Sequence, residues 1–351
     1  MVTYKRKKYA HIWPIDPDTA TPPKDWRGWP DRKKFALIIS HDVDSQKGHD
    51  KCYPLMRLEE RLGFRSSFNI VPEKYLVSTT LINDIKNRGF EVCTHGLNHD
   101  GKLFFSREIF NHRAKRINHY LQKWGSTGFT SPSMLCILDW MHALNISHST
   151  STFDTDPFEP QQNPVKTIFP FWVPNTSQSL RPSGDVQFCS RPRKTKILTT
   201  PVRSAGPTPV PSAGATGQAG QADIHKVFRG LKVESDAVIE QKGISPEGLT
   251  GFVELPYTLP QDFTLFVLMK EQTIHIWKKK LDWIARNGGM ALFNSHPDYM
   301  NFNEQKNGPE EYSVTYYKEF LKYIKNRYKD QYWHVLPKQM ARFWQQNYRQ
   351  D

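Results

Sequence analysis

Cysteine is scarce in this chain. Of 351 residues only four are cysteine, at positions 52, 93, 136 and 189, and no two of them form a CxxC pair. That scatter offers neither a redox dithiol nor a cysteine-built zinc site, and it fits a reducing, cytoplasmic setting. Long apolar runs are also missing. Nowhere do about 18 apolar residues follow one another, so no membrane span is expected. The start of the chain, with Trp13, Pro14, Ile15 and Asp16, lacks the continuous apolar stretch of a secretory signal. There is no HExxH, which removes the helix-borne zinc site of the common metalloproteases. Acidic residues are outnumbered, leaving a formal charge of +13. The basic clusters, Lys5-Arg6-Lys7-Lys8 and Lys278-Lys279-Lys280, read as solvated faces. No nucleic-acid module accompanies them, and no nucleic-acid partner is expected.

What is present is a regular alternation. The length suffices for one large α/β domain or two ordinary ones. Residues 1–34, rich in proline and tryptophan, read as an extended arm packed over a domain. Phe35–Ile39 is a continuous apolar run, suited to a strand buried on both faces. Helix-like Tyr53–Leu62, strand-like Arg65–Val71, helix-like Thr80–Asn87 and the short strand Phe90–Cys93 follow. Then come the amphipathic helix Arg107–Trp124 and a strand-helix pair across 128–144. Ile168–Trp172, Phe252–Leu255 and Phe263–Leu268 are further strand candidates. The series closes with a helix over 271–285, a strand over 290–294, a helix over 311–328, a strand at 333–336 and a last helix from Pro337. Such alternation implies βαβ units around a parallel sheet or barrel. Residues 183–250 break the rhythm. Ser204–Gln221 is almost wholly small residues, proline and glutamine, and buries too little apolar surface to offset its ordering entropy. A flexible insertion is expected there, dividing the domain into residues 35–182 and 251–351.

Three polar islands carry the chemistry: Ser40-His41-Asp42-Val43-Asp44-Ser45, His95-Gly96-Leu97-Asn98-His99-Asp100 and Ser295-His296-Pro297-Asp298. Each follows a strand candidate, and ligand sites of parallel α/β folds gather at the carboxyl ends of strands. Asp42 and Asp44 share one face of an extended segment. One of them is placed to bind a metal while the other faces a water. His95 and His99, four residues apart, would lie on one side of a helical turn and suit a single ion. His296 suits a proton donor to a leaving group. Asp154 and Asp156 stand at another strand end, where one of them would orient His296 or raise its pKa by its charge. Glu254 is a weaker acid candidate. Trp140, Trp172, Tyr257 and Tyr299 offer faces for a sugar ring, although core packing is the favoured account of each.

These residues together resemble the polysaccharide deacetylase family, the NodB-homology or family-four carbohydrate esterases, in its HDVD form. The resemblance covers roughly residues 35–182 and 251–340. It implies an irregular (β/α) barrel of about seven parallel strands that hydrolyses the N-acetyl groups of amino-sugar polymers or glycan precursors. It further implies a divalent metal, zinc in the first place with cobalt or nickel as alternatives. By that likeness Asp42 is the base and Asp44, His95 and His99 hold the metal. His296 is then the acid, tuned by Asp154 and Asp156. One position departs. The family places an arginine two residues before a motif proline, paired with the base; here Phe129-Thr130-Ser131-Pro132 puts Thr130 in its place. A neutral hydroxyl does not replace an arginine fork, so a catalytically weakened glycan-binding homologue is one alternative. An amidohydrolase acting on a small non-sugar amide is another. Oligomeric state is not legible in the sequence.

Overall fold

In the computed structural model, residues 2–159, 164–175, 251–303 and 307–348 are described. The expected insertion, 183–250, lies outside them, as does Cys189. The strands are β1 (Phe35–Val43), β2 (Ser67–Ile70), β3 (Glu91–His95), β4 (Gly128–Thr130), β5 (His148–Ser149), β6 (Phe171–Pro174), β7 (Gly251–Glu254), β8 (Met290–Ser295), β9 (Met300–Asn301), β10 (Tyr312–Ser313) and β11 (Tyr332–His334). The α-helices are α1 (Val2–Lys8), α2 (Gln46–Leu62), α3 (Thr79–Asn87), α4 (Arg107–Trp124), α5 (His275–Asn287), α6 (Val314–Arg327) and α7 (Pro337–Tyr348).

The main sheet follows chain order from β1 through β2, β3, β4 and β5 to β7, all parallel. On its other edge β1 pairs in parallel with β8, over Ala36–His41, and lower down with β11. Antiparallel β6 adds to the far side of β7. The sheet curls until its ends meet. Thr258 and Leu259, just past β7, donate to the Leu292 carbonyl of β8 at 3.1 and 3.2 Å, and Met290 donates to the Ile168 carbonyl at 2.7 Å. The result is an irregular (β/α) barrel with the expected seven parallel strands, β1–β5, β7 and β8, and β11 as an outrigger.

Burial explains the apolar strands. All nine residues of β1 are buried, as are all six of β8. Helices α2, α3, α5 and α6 cover one side of the sheet through a core that includes Phe35, Leu55, Ile85, Trp277, Phe293 and Phe320. The N-terminal segment is not extended throughout, since α1 takes up Val2–Lys8, and its Trp26 and Trp29 pack on Phe169 and Trp344. Two elements differ from expectation, and in the first the helix expected within 128–144 is replaced by short 3-10 turns at Pro132–Met134 and Leu138–Ala143. The apolar run Phe263–Leu268 is not a strand but a short wide helical turn. Asp262 holds its first N–H, from Phe263, at 2.9 Å, and an apolar run this short fits a buried helix as well as a strand.

Candidate active site

The three islands converge at the carboxyl ends of β1, β3 and β8. Asp42 is the penultimate residue of β1, nearly fully buried, and Asp44 lies just past the strand end. Because they are two residues apart on extended chain, both carboxylates face the same cleft, which also exposes His95, His99 and His296. This cleft measures about 230 Å³. Met134, Phe158, Phe263, Leu268 and Tyr299 supply apolar walls, and Glu159 and Gln261 supply polar ones.

Asp44, His95 and His99 each present one ligand atom, all within 4.8 Å of one another. Nε2 of His95 and Nε2 of His99 both lie 3.2 Å from Asp44 Oδ1. That oxygen is buried and has no hydrogen-bond partner. Nδ1 of His95 is directed at the Thr130 carbonyl at 3.1 Å, which places its proton there and turns the lone pair of Nε2 toward the cleft. A carboxylate oxygen and two imidazole nitrogens facing one another in this way suit a cation between them, and Asp/His/His is a common set for a divalent ion with an open position. The electrostatics agree. Burial raises the Asp44 pKa, but the imidazoles of His95, His99 and His296 pull it well below the usual range. Burial lowers that of His95, while the carboxylates of Asp42 and Asp44 raise it on balance. Both directions mark a point that favours positive charge. The residues present therefore fit a divalent metal. The histidine pair gets there differently from expectation. No helical turn exists: His95 ends β3, and left-handed backbone at Gly96 (φ 58°) and His99 (φ 52°) folds the loop so that the two rings lie 5.0 Å apart. A non-glycine residue held at positive φ is strain of the kind found at ligand sites.

Asp42 is clamped rather than paired. Asn69 Nδ2 donates to Oδ1 at 2.6 Å and Asn294 Nδ2 to Oδ2 at 2.8 Å. Oδ2 also lies 3.8 Å from His95 Nε2 and 3.9 Å from His296 Nε2. Thr130, at the position of the expected arginine, turns its buried hydroxyl to Thr150 instead. Its contribution to the site is the backbone carbonyl on His95.

The partner of His296 overturns an expectation. The carboxylate on this ring is Asp262, not Asp154 or Asp156. Nδ1 of His296 donates to Asp262 Oδ1 at 2.7 Å, and the His296 N–H donates to Oδ2 at 2.9 Å. Tyr312 is the third donor to this carboxylate, on Oδ2 at 2.9 Å. Burial alone lowers the His296 pKa, but Asp262, with Asp44 and Asp42 behind it, raises it to about 10. Asp154 is engaged elsewhere, with buried Lys280 at 2.5 Å. Asp156 accepts from the Phe158 N–H at 2.9 Å and from Tyr257 at 3.2 Å. Tyr257 also donates to Glu159 at 2.6 Å, as Gln261 does at 2.9 Å. Glu254 is a structural acid, its Oε1 accepting from the Ser151 N–H at 2.7 Å and the Thr152 hydroxyl at 2.9 Å. Of the aromatic candidates, Tyr299 lines the cleft, while Trp140 packs against Phe104 and Phe110. Asp262, Asn69, Asn294 and Glu159 were not anticipated. The one available signal was an aspartate directly before an apolar run, a helix-capping pattern.

No family model matches the chain, and no curated protein does. Solved structures do. A candidate polysaccharide deacetylase from Mycobacterium smegmatis superposes with a TM-score of 0.55 at 13% identity, over 92% of this chain and 94% of that one. A second, from Pseudomonas aeruginosa, gives 0.54 at 10% identity over 94% and 97%. An allantoinase gives 0.54 at 11% identity over 94% and 96%. Fold and site thus define a (β/α) barrel with a metal-competent cleft at the carboxyl ends of its strands. That fold is the one found in the polysaccharide deacetylases, as the motifs of the sequence imply.

Proposed function

We propose that this protein is a metal-dependent hydrolase that removes acetyl groups from the nitrogen of an amino sugar, in a polysaccharide or a glycan precursor. The observation that carries the reading is the orphaned, buried Asp44 Oδ1, 3.2 Å from Nε2 of both His95 and His99. Asp44, His95 and His99 would hold the ion, with zinc the first choice for this donor set. When bound, a divalent cation supplies charge that polarises an amide carbonyl and acidifies water. The chain's own residues do the rest. Asp42 takes the proton from the attacking water; Asn69 and Asn294 hold its two oxygens so that it does not swing onto the ligand histidines. His296 gives its proton to the departing amine from Nε2, because Asp262 fixes the other nitrogen as a donor. The apolar walls of Met134, Phe158 and Phe263 keep bulk water from competing.

A second reading is an amidohydrolase for a small non-sugar amide. It is favoured by the modest cleft of about 230 Å³ and by the likeness to an allantoinase. One experiment separates the two. The chain is stripped with a chelator, reloaded with zinc or cobalt, and offered N-acetylated oligosaccharides, nucleotide-linked amino sugars and small cyclic and linear amides. Acetate release from the sugars alone supports deacetylation. Turnover of small amides alone supports the second reading, and glycan binding without any turnover leaves a non-catalytic homologue.

A further inference from the structure

At the opposite pole of the barrel, where strands begin rather than end, three donor side chains meet under complete cover. Glu91 opens β3, Cys93 stands two residues along on the same face, and His148 opens β5. Each is 3% exposed or less. The strand between them makes the meeting possible. Gly128 of β4 pairs with His148, and the β3–β4 register places Cys93 on its other side. A Cβ at Gly128 would sit 2.4 Å from Cys93 Sγ and 2.5 Å from His148 Nε2. Glycine therefore leaves open the space in which these side chains reach each other across β4.

The surrounding hydrogen bonds fix the imidazole. The Ser147 hydroxyl donates to Thr127 Oγ1 at 2.9 Å, so it must accept from His148 Nδ1–H at 3.1 Å. Nε2 then points at Glu91 Oε1, 3.3 Å away, and at Cys93 Sγ, 3.9 Å away. The other oxygen of Glu91 accepts from the Lys338 N–H at 3.1 Å, at the start of α7. Oriented histidine and carboxylate ligands with satisfied outer atoms are the outer-sphere pattern of a built metal site. Ligand-to-ligand edges of a tetrahedral zinc centre are about 3.3–3.6 Å for these atom types, which the spacing approaches. A thiolate and a carboxylate together also neutralise a divalent cation, so the buried centre would carry no net charge.

We propose that Glu91, Cys93 and His148 form a second, structural site for a thiophilic divalent cation such as zinc, distinct from the cleft. Binding expels the Cys93 thiol proton and ties β3, β5 and the start of α7 together at the base of the barrel. The competing occupant is a proton, which would leave an imidazolium–carboxylate ion pair beside a thiol.

Cobalt(II) distinguishes the two, because the residues lining the cleft include no thiol, its one sulfur being the thioether of Met134. Chelator-stripped full-length protein is titrated with cobalt under reducing conditions, and absorbance is followed in the near ultraviolet, where thiolate-to-cobalt charge transfer appears. We expect that band in the wild type and in His95→Ala, and its loss in Cys93→Ser. Glu91→Gln, which keeps the thiol and the shape, should weaken cobalt binding to the band-forming site at least tenfold, and it serves if Cys93→Ser does not fold. A wild type that binds cobalt without the band overturns the proposal, as does a band that survives Cys93→Ser. Loss of the cleft ion alone, in His95→Ala, touches the proposed hydrolase and leaves this site intact.

Discussion

Asp262 Oδ1 stands 2.7 Å from Nδ1 of His296, and its second oxygen accepts the backbone N–H of the same histidine. One carboxylate therefore sets both the tautomer and the position of the ring. It is also the charge that does most to lift the His296 pKa to about 10 against the lowering effect of burial. Replacing it with asparagine keeps the shape and removes the charge. Asp262→Asn should lower kcat by roughly 10²–10⁴-fold and bring the His296 pKa down. An acid that must stay protonated then fails earlier as pH rises, so the alkaline limb of the kcat/KM profile moves to lower pH. A uniform loss with an unmoved limb would show that Asp262 only supports the fold.

The metal half of the site predicts a binding phenotype independent of turnover. His95→Ala and His99→Ala each remove one of the two nitrogens facing Asp44 Oδ1. Elemental analysis of protein reloaded with zinc and freed of excess should show the cleft ion lost in both. Metal content equal to the wild type in either variant would refute the ligand assignment.

Thr130 invites an arginine only on paper. Asp42 already has an amide donor on each oxygen, from Asn69 and Asn294, and the Thr130 hydroxyl is bound to Thr150 in a buried position. An arginine there would overfill packed space at a cost of about 1–3 kcal/mol or more. Thr130→Arg should therefore lower the midpoint of thermal unfolding and give no gain in rate. Asn294→Ala, by contrast, should leave folding largely intact and reduce kcat by about 10–100-fold, a loss typical of removing an orienting partner. Activity gained in Thr130→Arg would restore the view that the missing arginine is a defect.

The barrel and the Asp44, His95 and His99 cluster proposed to hold the metal were legible because their signals are local. Apolar runs end in Asp or His at Ile39, Cys93 and Phe293, and a strand end is the place where a buried element can present a polar side chain to a cleft. Asp262 was hidden for the opposite reason. It precedes Phe263–Leu268, whose apolar run reads as a strand, and the residue it serves lies 34 positions further on. Asp154 and Asp156 were plausible by position, yet a charge this deeply buried goes to the nearest buried cation, and Lys280 reaches Asp154 first. The Glu91, Cys93 and His148 cluster is equally silent in sequence. It exists because Gly128 sits between two strands, a relation fixed by register and not by spacing along the chain.

Lys280 offers the sharpest test of how the interior tolerates charge. It sits on α5 and is fully buried, and its Nζ lies 2.5 Å from Asp154 Oδ2 with the Trp283 ring 4.8 Å away. Burial raises the Asp154 pKa and Lys280 opposes it, leaving the carboxyl at about 6, above its unfolded value. The sign follows from proton counts. Between the unfolded pKa of ~3.9 and about 6 the folded protein binds the extra proton, so this group makes stability fall as pH rises through that window and adds no further change above it. Lys280→Met removes the opposing charge and leaves the carboxylate alone in the interior. The folded pKa of Asp154 then climbs further, and the loss in stability continues to higher pH. We expect Lys280→Met to cost about 3–5 kcal/mol near neutral pH, where the unpaired carboxylate must either stay ionised or take up a proton. The cost should shrink at pH 5, where protonation is easier. Asp154→Leu combined with Lys280→Met should recover most of the loss, because a buried ion pair is often matched by apolar residues of similar volume. Urea unfolding at the two pH values checks this. Equal losses at both, or no recovery in the double variant, would mean that Lys280 acts through its packing on Trp283 and not through its charge.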